Sequence, residues 1–160
     1  MTKTSTTVYT YTYTVPTGDG TGTVTVGTGT DAAGNVVTST PTSGATFTVD
    51  NTVPTQTVSG VDISADTGTS DSDFLTKTAA QTISGTLSAT LAASDILSGS
   101  VNNGSDWTDI TSKVSGTGIT WNLATLSGSR NILFKIPDDA GNDSNTTVIQ
   151  AYVLDTPAPT

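Results

Sequence analysis

The chain has 160 residues and a formal net charge of −9, from 14 acidic and 5 basic side chains; every acid is Asp, and Glu, His and Cys are absent. Asp, Ser, Thr and Gly favour turns, caps and strands over helix interiors, so a chain with 37 Thr and 16 Gly excludes a helical domain. Without His or Cys there is no imidazole acid–base chemistry, zinc cluster, thiol nucleophile or disulfide staple, and the acidity argues against nucleic acid and anionic membranes as partners.

In chain order, the first strand signal is Tyr9, Tyr11, Tyr13 and Val15 alternating with Thr10, Thr12 and Thr14. A period of two marks a strand with one covered face. Val24 and Val26 repeat the pattern, as do Ala45, Phe47 and Val49, with Gly18-Asp19-Gly20 and Ala33-Gly34-Asn35 as turns between. Three or four strands are predicted before residue 52. Seven more are predicted near 57–63, 81–89, 96–101, 107–110, 118–123, 131–136 and 147–154. Asn103-Gly104 signals a type I′ turn, in which both central residues take positive φ. The expected core is Val61, Ile63, Ile83, Leu87, Trp107, Trp121, Ile132, Phe134, Ile136 and Val153. The apolar runs are too short to span a bilayer, so no direct membrane insertion is expected. The first residues lack the apolar region of a secretory signal, and the chain reads as a piece of something larger.

Asp31-Ala32-Ala33-Gly34-Asn35 recurs as Asp138-Asp139-Ala140-Gly141-Asn142, an offset of 138 − 31 = 107. Val49-Asp50-Asn51-Thr52-Val53-Pro54-Thr55 recurs as Leu154-Asp155-Thr156-Pro157-Ala158-Pro159-Thr160, an offset of 155 − 50 = 105. Two signals in one order at nearly one offset define a repeat of about 105 residues, the length of an immunoglobulin-like β-sandwich. The expected fold is all-β. Residues 53–157 read as one complete Ig-like module, residues 1–52 as the C-terminal half of another, and 158–160 as the start of the next linker.

The loop Asp66-x-Gly68-x-Ser70-x-x-Asp73, the D-x-A-G-N turn and the Asp-Asn-Thr-x-Pro boundary together resemble the bacterial immunoglobulin-like (BIg) tandem repeats of giant surface adhesins and biofilm-associated proteins. The Gly104-Ser105-Asp106-Trp107 hairpin adds to the likeness. The resemblance spans 53–157 and reaches 1–52 through its C-terminal signals. It implies an extracellular module on the bacterial cell surface, without catalysis. Such a module acts as a structural spacer in cell adhesion or biofilm formation, with calcium binding at module junctions and neighbouring Ig-like repeats of the same chain as partners. The sequence departs from many such repeats at Pro137, which removes a backbone donor, and at Asp139, which stands where the first copy has Ala32.

The carboxylates carry the expected chemistry. Asp62, Asp66, Asp71 and Asp73 fall within 12 residues around Gly68, and Ca²⁺ takes about six to eight oxygens at roughly 2.3–2.6 Å. An EF-hand is excluded because its loop needs a Glu. Within the resemblance, the expected Ca²⁺ ligands are Asp31, Asn35 and Asp50 from the first segment with Asp66, Asp71 and Asp73 from the second. A half-site of Asp139, Asn142, Asp143 and Ser144, with Asp155, is expected at the far end. The competing reading is that these Asp residues are ordinary turn acceptors, which is the reading for Asp19, Asp95, Asp106 and Asp109.

No enzyme is expected, since paired Asp in turns without a cleft make a poor glycosidase. A Lys–Asn crosslink would draw on Lys77, Lys113 or Lys135. The Tyr9–Tyr13 ladder reads as a core face or a carbohydrate-stacking face. The other functional class is accordingly a glycan- or surface-binding Ig-like module of an adhesin or phage fibre.

Overall fold

The structure, a computed structural model, describes residues 2–5, 8–36, 41, 43–144 and 148–158. The chain divides into two compact units, 1–52 and 53–160. It is all-β: among the described residues the only helical element is a 3₁₀ turn at Thr111–Lys113. The final dipeptide, Pro159 and Thr160, and the triplet 145–147 lie outside the described residues.

Among its described residues the first unit holds two antiparallel strand pairs. Strand β1 (Thr2–Lys3) pairs with β2 (Tyr9–Thr10), and β3 (Gly20–Thr23) pairs with β4 (Thr46–Val49). Gly20 lies opposite Val49 and Gly22 opposite Phe47, and the Val24 N–H donating to the Ala45 carbonyl at 2.6 Å adds one more rung. The long tyrosine strand is corrected here: β2 stops at Thr10, and among the described residues no ladder reaches residues 11–15. Alternating side chains supply one face of a strand, but a strand exists only where its backbone finds a partner. Tyr9, Tyr11, Tyr13, Val15, Val24, Val26 and Phe47 are all exposed.

The second unit is a pair of stacked sheets. One has the order β10-β11-β7-β5, with β5 Val58–Ile63, β7 Ala80–Leu87, β10 Val114–Ser115 and β11 Gly118–Thr125. The other has the order β6-β13-β12-β8-β9, with β6 Leu75–Thr76, β8 Ser98–Ser100, β9 Thr108–Asp109, β12 Ser129–Lys135 and β13 Val148–Leu154. All described pairings are antiparallel except β6 with β13. Both sheets contribute to one core of Val58, Ile63, Ile83, Leu87, Leu97, Ile110, Ile119, Trp121, Ala124, Leu126, Ile132, Phe134, Ile136 and Tyr152. Trp121 meets Phe134 edge-on across the core at 6.3 Å between centroids, a favoured aromatic geometry. The indole also lies flat on Gly99 of β8, where a Cβ would stand 2.6 Å from a ring carbon.

The seven strands predicted for this unit are present, and β6 and β10 are additional. Two residues each are too few to carry a periodic pattern. Three core positions differ from expectation. Val153 is 42% exposed while Tyr152 is 2% exposed; a one-residue change of phase exchanges the two faces of a strand. The phase is set by Tyr152, whose hydroxyl donates to the Val101 carbonyl at 2.6 Å and accepts from the Ser127 N–H at 3.2 Å. Trp107 is only half-buried and lies 4.8 Å under the Lys135 ammonium. Val61 is half-buried against the core rather than inside it. In β11 the register shifts between Trp121 and Ala124, where Leu123 takes φ 63° and is 89% exposed. This bulge lets Ile119, Trp121, Ala124 and Leu126 all face inward, which strict alternation forbids.

The Asn-Gly turn forms as predicted. Asn103 has φ 64° and Gly104 φ 78°, and the Ser105 N–H donates to the Asn102 carbonyl at 3.4 Å. It sits within a longer loop between β8 and β9 instead of joining them directly.

Candidate metal-binding loops

The two D-x-A-G-N segments fold alike. Asp31 Oδ1 accepts from the backbone N–H groups of Ala33 (2.9 Å) and Asn35 (2.8 Å), and Oδ2 accepts from Asn35 Nδ2 (2.8 Å). The Gly34 N–H donates to the Asp31 carbonyl, and the Asp31 N–H to the Asn35 carbonyl, both at 3.0 Å. In the second unit Asp138 Oδ1 accepts from the Asn142 N–H (2.8 Å) and Oδ2 from Asn142 Nδ2 (2.9 Å). The Gly141 N–H closes onto the Asp138 carbonyl at 3.2 Å. Gly34 and Gly141 take φ 86° and 89°, a left-handed turn at which a Cβ is unfavourable. Each loop is therefore an Asp carboxylate clasped by the Asn four residues on.

The hydrogen bonds hold both carboxyl groups below the ordinary carboxylate range. For Asp31 the Asn35 side chain is the largest cause, followed by the Asn35 backbone. For Asp138 the Asn142 side chain leads, opposed by desolvation and aided by the backbone.

The likeness extends along the strands on either side of the loops. The β3–β4 ladder pairs Gly20 with Val49 and Gly22 with Phe47. The β12–β13 ladder pairs Ser129 with Val153 and Arg130 with Tyr152, and the Leu154 N–H donates to the Gly128 carbonyl. Shifting the first strand by 128 − 20 = 108 and the second by 154 − 49 = 105 superposes the two registers.

Asp66 stands apart from both clasps. Its Oδ2 accepts from the Phe74 N–H at 2.7 Å, while Oδ1 is shielded from solvent and has no hydrogen-bond partner. Phe74 is held at φ 60°, a costly conformation for an aromatic residue. Its carbonyl accepts from the Val153 N–H, so the turn is pinned from both sides. Gly68 is packed closely: a Cβ there would stand 3.2 Å from the Leu75 carbonyl oxygen and 3.5 Å from Asp73 Oδ1. Asp73 Oδ1 accepts from the Leu75 N–H at 3.0 Å, and Asp71 and Asp73 are exposed. Asp50 Oδ1 accepts from the Thr52 N–H at 3.0 Å. Asp139 and Asp155 are exposed.

The donor set fits Ca²⁺ unevenly. A shielded carboxylate oxygen without a donor is costly and is satisfied by a cation, so Asp66 fits a ligand. Asp31 has two donors on Oδ1 and one on Oδ2, which leaves it at most a single acceptor direction. Among the described residues no three Asp side chains within either unit converge on one point. Asn142 clasps Asp138, while Asp139, the residue expected beside Asn142 at the ion, is exposed. The 107-residue offset itself points to Asp138.

Of the Asp residues expected to be turn acceptors, Asp106 and Asp109 bond only within their own turns, Asp95 bonds both its turn and the distant Gln56, and Asp19 ties two segments 32 residues apart in the chain. Asp19 Oδ1 accepts from the Asn51 N–H at 2.6 Å and Oδ2 from the Thr52 hydroxyl. Asp95 Oδ2 accepts from Gln56 Nε2 and the Ala92 N–H, Asp106 Oδ2 from Asn102 Nδ2, and Asp109 Oδ1 from the Thr111 N–H. Lys77 is exposed, and Lys135 pairs with Asp143 at 3.3 Å, so neither sits in the dry core that a Lys–Asn crosslink requires. No family model matches the chain, and no curated protein matches it.

Proposed function

We propose that the chain is a stretch of a tandem Ig-like repeat from an extracellular bacterial adhesin or biofilm-associated protein, and that it acts as a non-catalytic spacer. The observation that carries this reading is the shared hairpin: one register and one Asp–Asn clasp, repeated at offsets of 105 to 108 residues. The strand order of the second unit supports it. An immunoglobulin constant-type sandwich has strands A-B-E-D in one sheet and C-F-G in the other. Here β5-β7-β11-β10 and β8-β12-β13 run in that order.

Calcium is proposed at the module ends. Asp66 is the anchoring ligand, with Asp71 and Asp73 from its own loop. Asp31, Asn35 and Asp50 belong to the end of one module, and Asp139, Asn142 and Asp155 to the end of the next. Extracellular modules bind Ca²⁺ with Kd of about 10⁻⁴–10⁻³ M. At millimolar calcium this contributes roughly 0.4–1.4 kcal/mol per site. That is too little to fold a module and enough to bias a linker toward its extended state. Small-angle scattering of the full chain is expected to show extension on adding calcium, and identical curves in calcium and chelator would sink the proposal.

The exposed Tyr9, Tyr11 and Tyr13 favour a second reading, a glycan- or surface-binding module. Specific, saturable binding on a glycan array that is lost in Tyr11→Ala would establish it over the spacer.

A further inference from the structure

Residues 50–57 run between β4 and β5 outside any strand, and each unit fastens its own part of this segment. In the first unit the fastener is Asp19. Its Oδ1 accepts from the Asn51 N–H at 2.6 Å and its Oδ2 from the Thr52 hydroxyl. Beside it the Gly18 carbonyl accepts from Asn51 Nδ2 at 2.8 Å, and Asp50 Oδ1 accepts from the Thr52 N–H at 3.0 Å. Hydrogen bonds to a carboxylate are the stronger class. Here one carboxylate holds two consecutive residues, 32 and 33 positions further along the chain.

In the second unit the fastener is Gln56. Its Nε2 donates to Asp95 Oδ2 at 2.8 Å and to the Thr90 carbonyl at 3.3 Å. Asp95 is 7% exposed, and Gln56 Oε1 is shielded from solvent, so the amide is inserted into the loop between β7 and β8. A reversed amide would set Oε1 against two acceptors, which fixes its orientation. The Thr57 N–H donates to Ser88 Oγ at 3.0 Å, and the Ser88 N–H donates to the Thr57 carbonyl at 2.8 Å. Val53, Pro54 and Thr55 are the residues left between the two fasteners. Pro54 has its φ set by its ring, and the residue before a proline is confined to extended conformations.

The Asp19 fastener is not part of the repeated pattern. At the offset of 108 Asp19 corresponds to Ser127, and at 105 Asn51 and Thr52 correspond to Thr156 and Pro157. Ser127 carries no carboxylate and gives its N–H to the Tyr152 hydroxyl. Pro157 brings neither an N–H nor a hydroxyl. The first unit therefore holds its outgoing chain with groups that the second unit does not carry at the matching places.

We infer that residues 50–57 form a strap latched by Asp19 in one unit and by Gln56 in the other, with its freedom confined to Val53–Thr55. The latches are made of protein groups alone. They rest on the repeat reading only for the comparison with Ser127 and Pro157. Within the spacer reading, they leave a cation three residues of the connection on which to act.

The test is ¹⁵N relaxation of the full chain in chelator. Asn51, Thr52, Gln56 and Thr57 are expected to match the strands, with order parameters of about 0.85, and to dip only at Val53 and Thr55. Asp19→Ser carries the second unit's residue into the first. It should lower Asn51 and Thr52 below about 0.6 and leave Gln56 and Thr57 unchanged. Gln56→Ala should lower the amides of residues 55 and 56 and leave Asn51 and Thr52 unchanged. If Asp19→Ser also loosens Phe47 in β4, Thr52→Val decides, since it removes the hydroxyl donor outside the strands and should lower residue 52 with Phe47 kept. Order parameters below about 0.6 at Asn51 and Thr52 in the unsubstituted chain overturn the proposal, as does unchanged order in the deciding variant. Order that appears only on adding calcium also overturns it and assigns the fastening to the ion. That outcome leaves the calcium proposal standing, whereas latches that hold in chelator with no calcium-dependent change in scattering would sink the calcium proposal alone.

Discussion

The Tyr152 hydroxyl donates to the Val101 carbonyl at 2.6 Å, joining the last strand to the loop after β8 across 51 residues of chain. The same oxygen accepts from the Ser127 N–H, so one phenol serves two backbone groups beside the core. Tyr152→Phe is expected to lower stability by about 1–3 kcal/mol, because both groups lose their partner while the ring stays packed. Tyr152→Ala adds a cavity and should cost about 3–5 kcal/mol. Phe47→Ala, at the matching but exposed position, should leave the unfolding of residues 53–160 unchanged. Urea denaturation followed by tryptophan fluorescence reads this directly, since Trp107 and Trp121 both lie in the second unit.

The Asp–Asn clasps should be felt at low pH. Asp31 and Asp138 have carboxyl groups lowered in the folded state, against about 3.9 for an unperturbed Asp. A lowered folded-state value means the unfolded chain takes up protons first. The stabilisation is therefore present above about pH 4 and is lost as pH falls through the folded-state value. Loss of the Asn35 and Asn142 amide positions in an NMR titration should occur below pH 4. Asp138→Asn should flatten this response at Asn142 and leave Asn35 unaffected.

Leu123 is an exposed β-bulge residue at φ 63°. A left-handed conformation costs an L residue roughly 1–2 kcal/mol, and Gly removes that cost at an entropic expense of about 0.5–1 kcal/mol. Leu123→Gly is expected to raise stability by about 0.5 kcal/mol, seen as an increase in Tm. Gly99→Ala is the opposite case. The added methyl would press on the Trp121 ring, and overpacking of this kind costs about 1–3 kcal/mol.

Asn103-Gly104 is the pair most prone to deamidation by attack of the following backbone nitrogen on the amide carbon. The fold restrains both partners. The Gly104 N–H donates to Ser100 Oγ at 3.0 Å, and Asn103 Oδ1 accepts from the Asn131 N–H at 2.7 Å and Asn131 Nδ2 at 3.1 Å. Peptide mapping after warm alkaline incubation should show slow deamidation in the folded chain and fast deamidation in urea. Ser100→Ala should move the folded chain toward the fast rate.

Strands are legible where six or more residues rich in β-branched and apolar side chains lie between turn signals, as in β5, β7, β11 and β12. The pattern misled where partner or phase mattered. Residues 11–15 alternate as well as any strand in the chain, yet pairing is a property of the neighbour and not of the segment. Val153 and Tyr152 are both apolar enough to face inward, and only the hydroxyl's two backbone partners decide between them. The D-x-A-G-N loops were visible as a repeat, but their chemistry was not. Spacing alone does not distinguish a carboxylate aimed at an ion from one clasped by its own Asn. Asp66 shows the reverse: the pairing of one oxygen and the isolation of the other depend on the turn at Phe74, far from any periodic signal.

Strand β6 runs parallel to β13, with Val153 opposite Leu75 and Leu154 opposite Thr76. The Val153 N–H reaches the Phe74 carbonyl, and the Asp155 N–H reaches the Thr76 carbonyl. These bonds lie across the strand direction, beside the β12 ladder on the other side. A pull along β13 therefore strains both rows together, in shear, instead of peeling them one rung at a time. Resistance to such a pull is governed by the unfolding rate rather than by equilibrium stability. A two-residue strand too short to register in the sequence thus makes the last strand of the module a mechanical fastening.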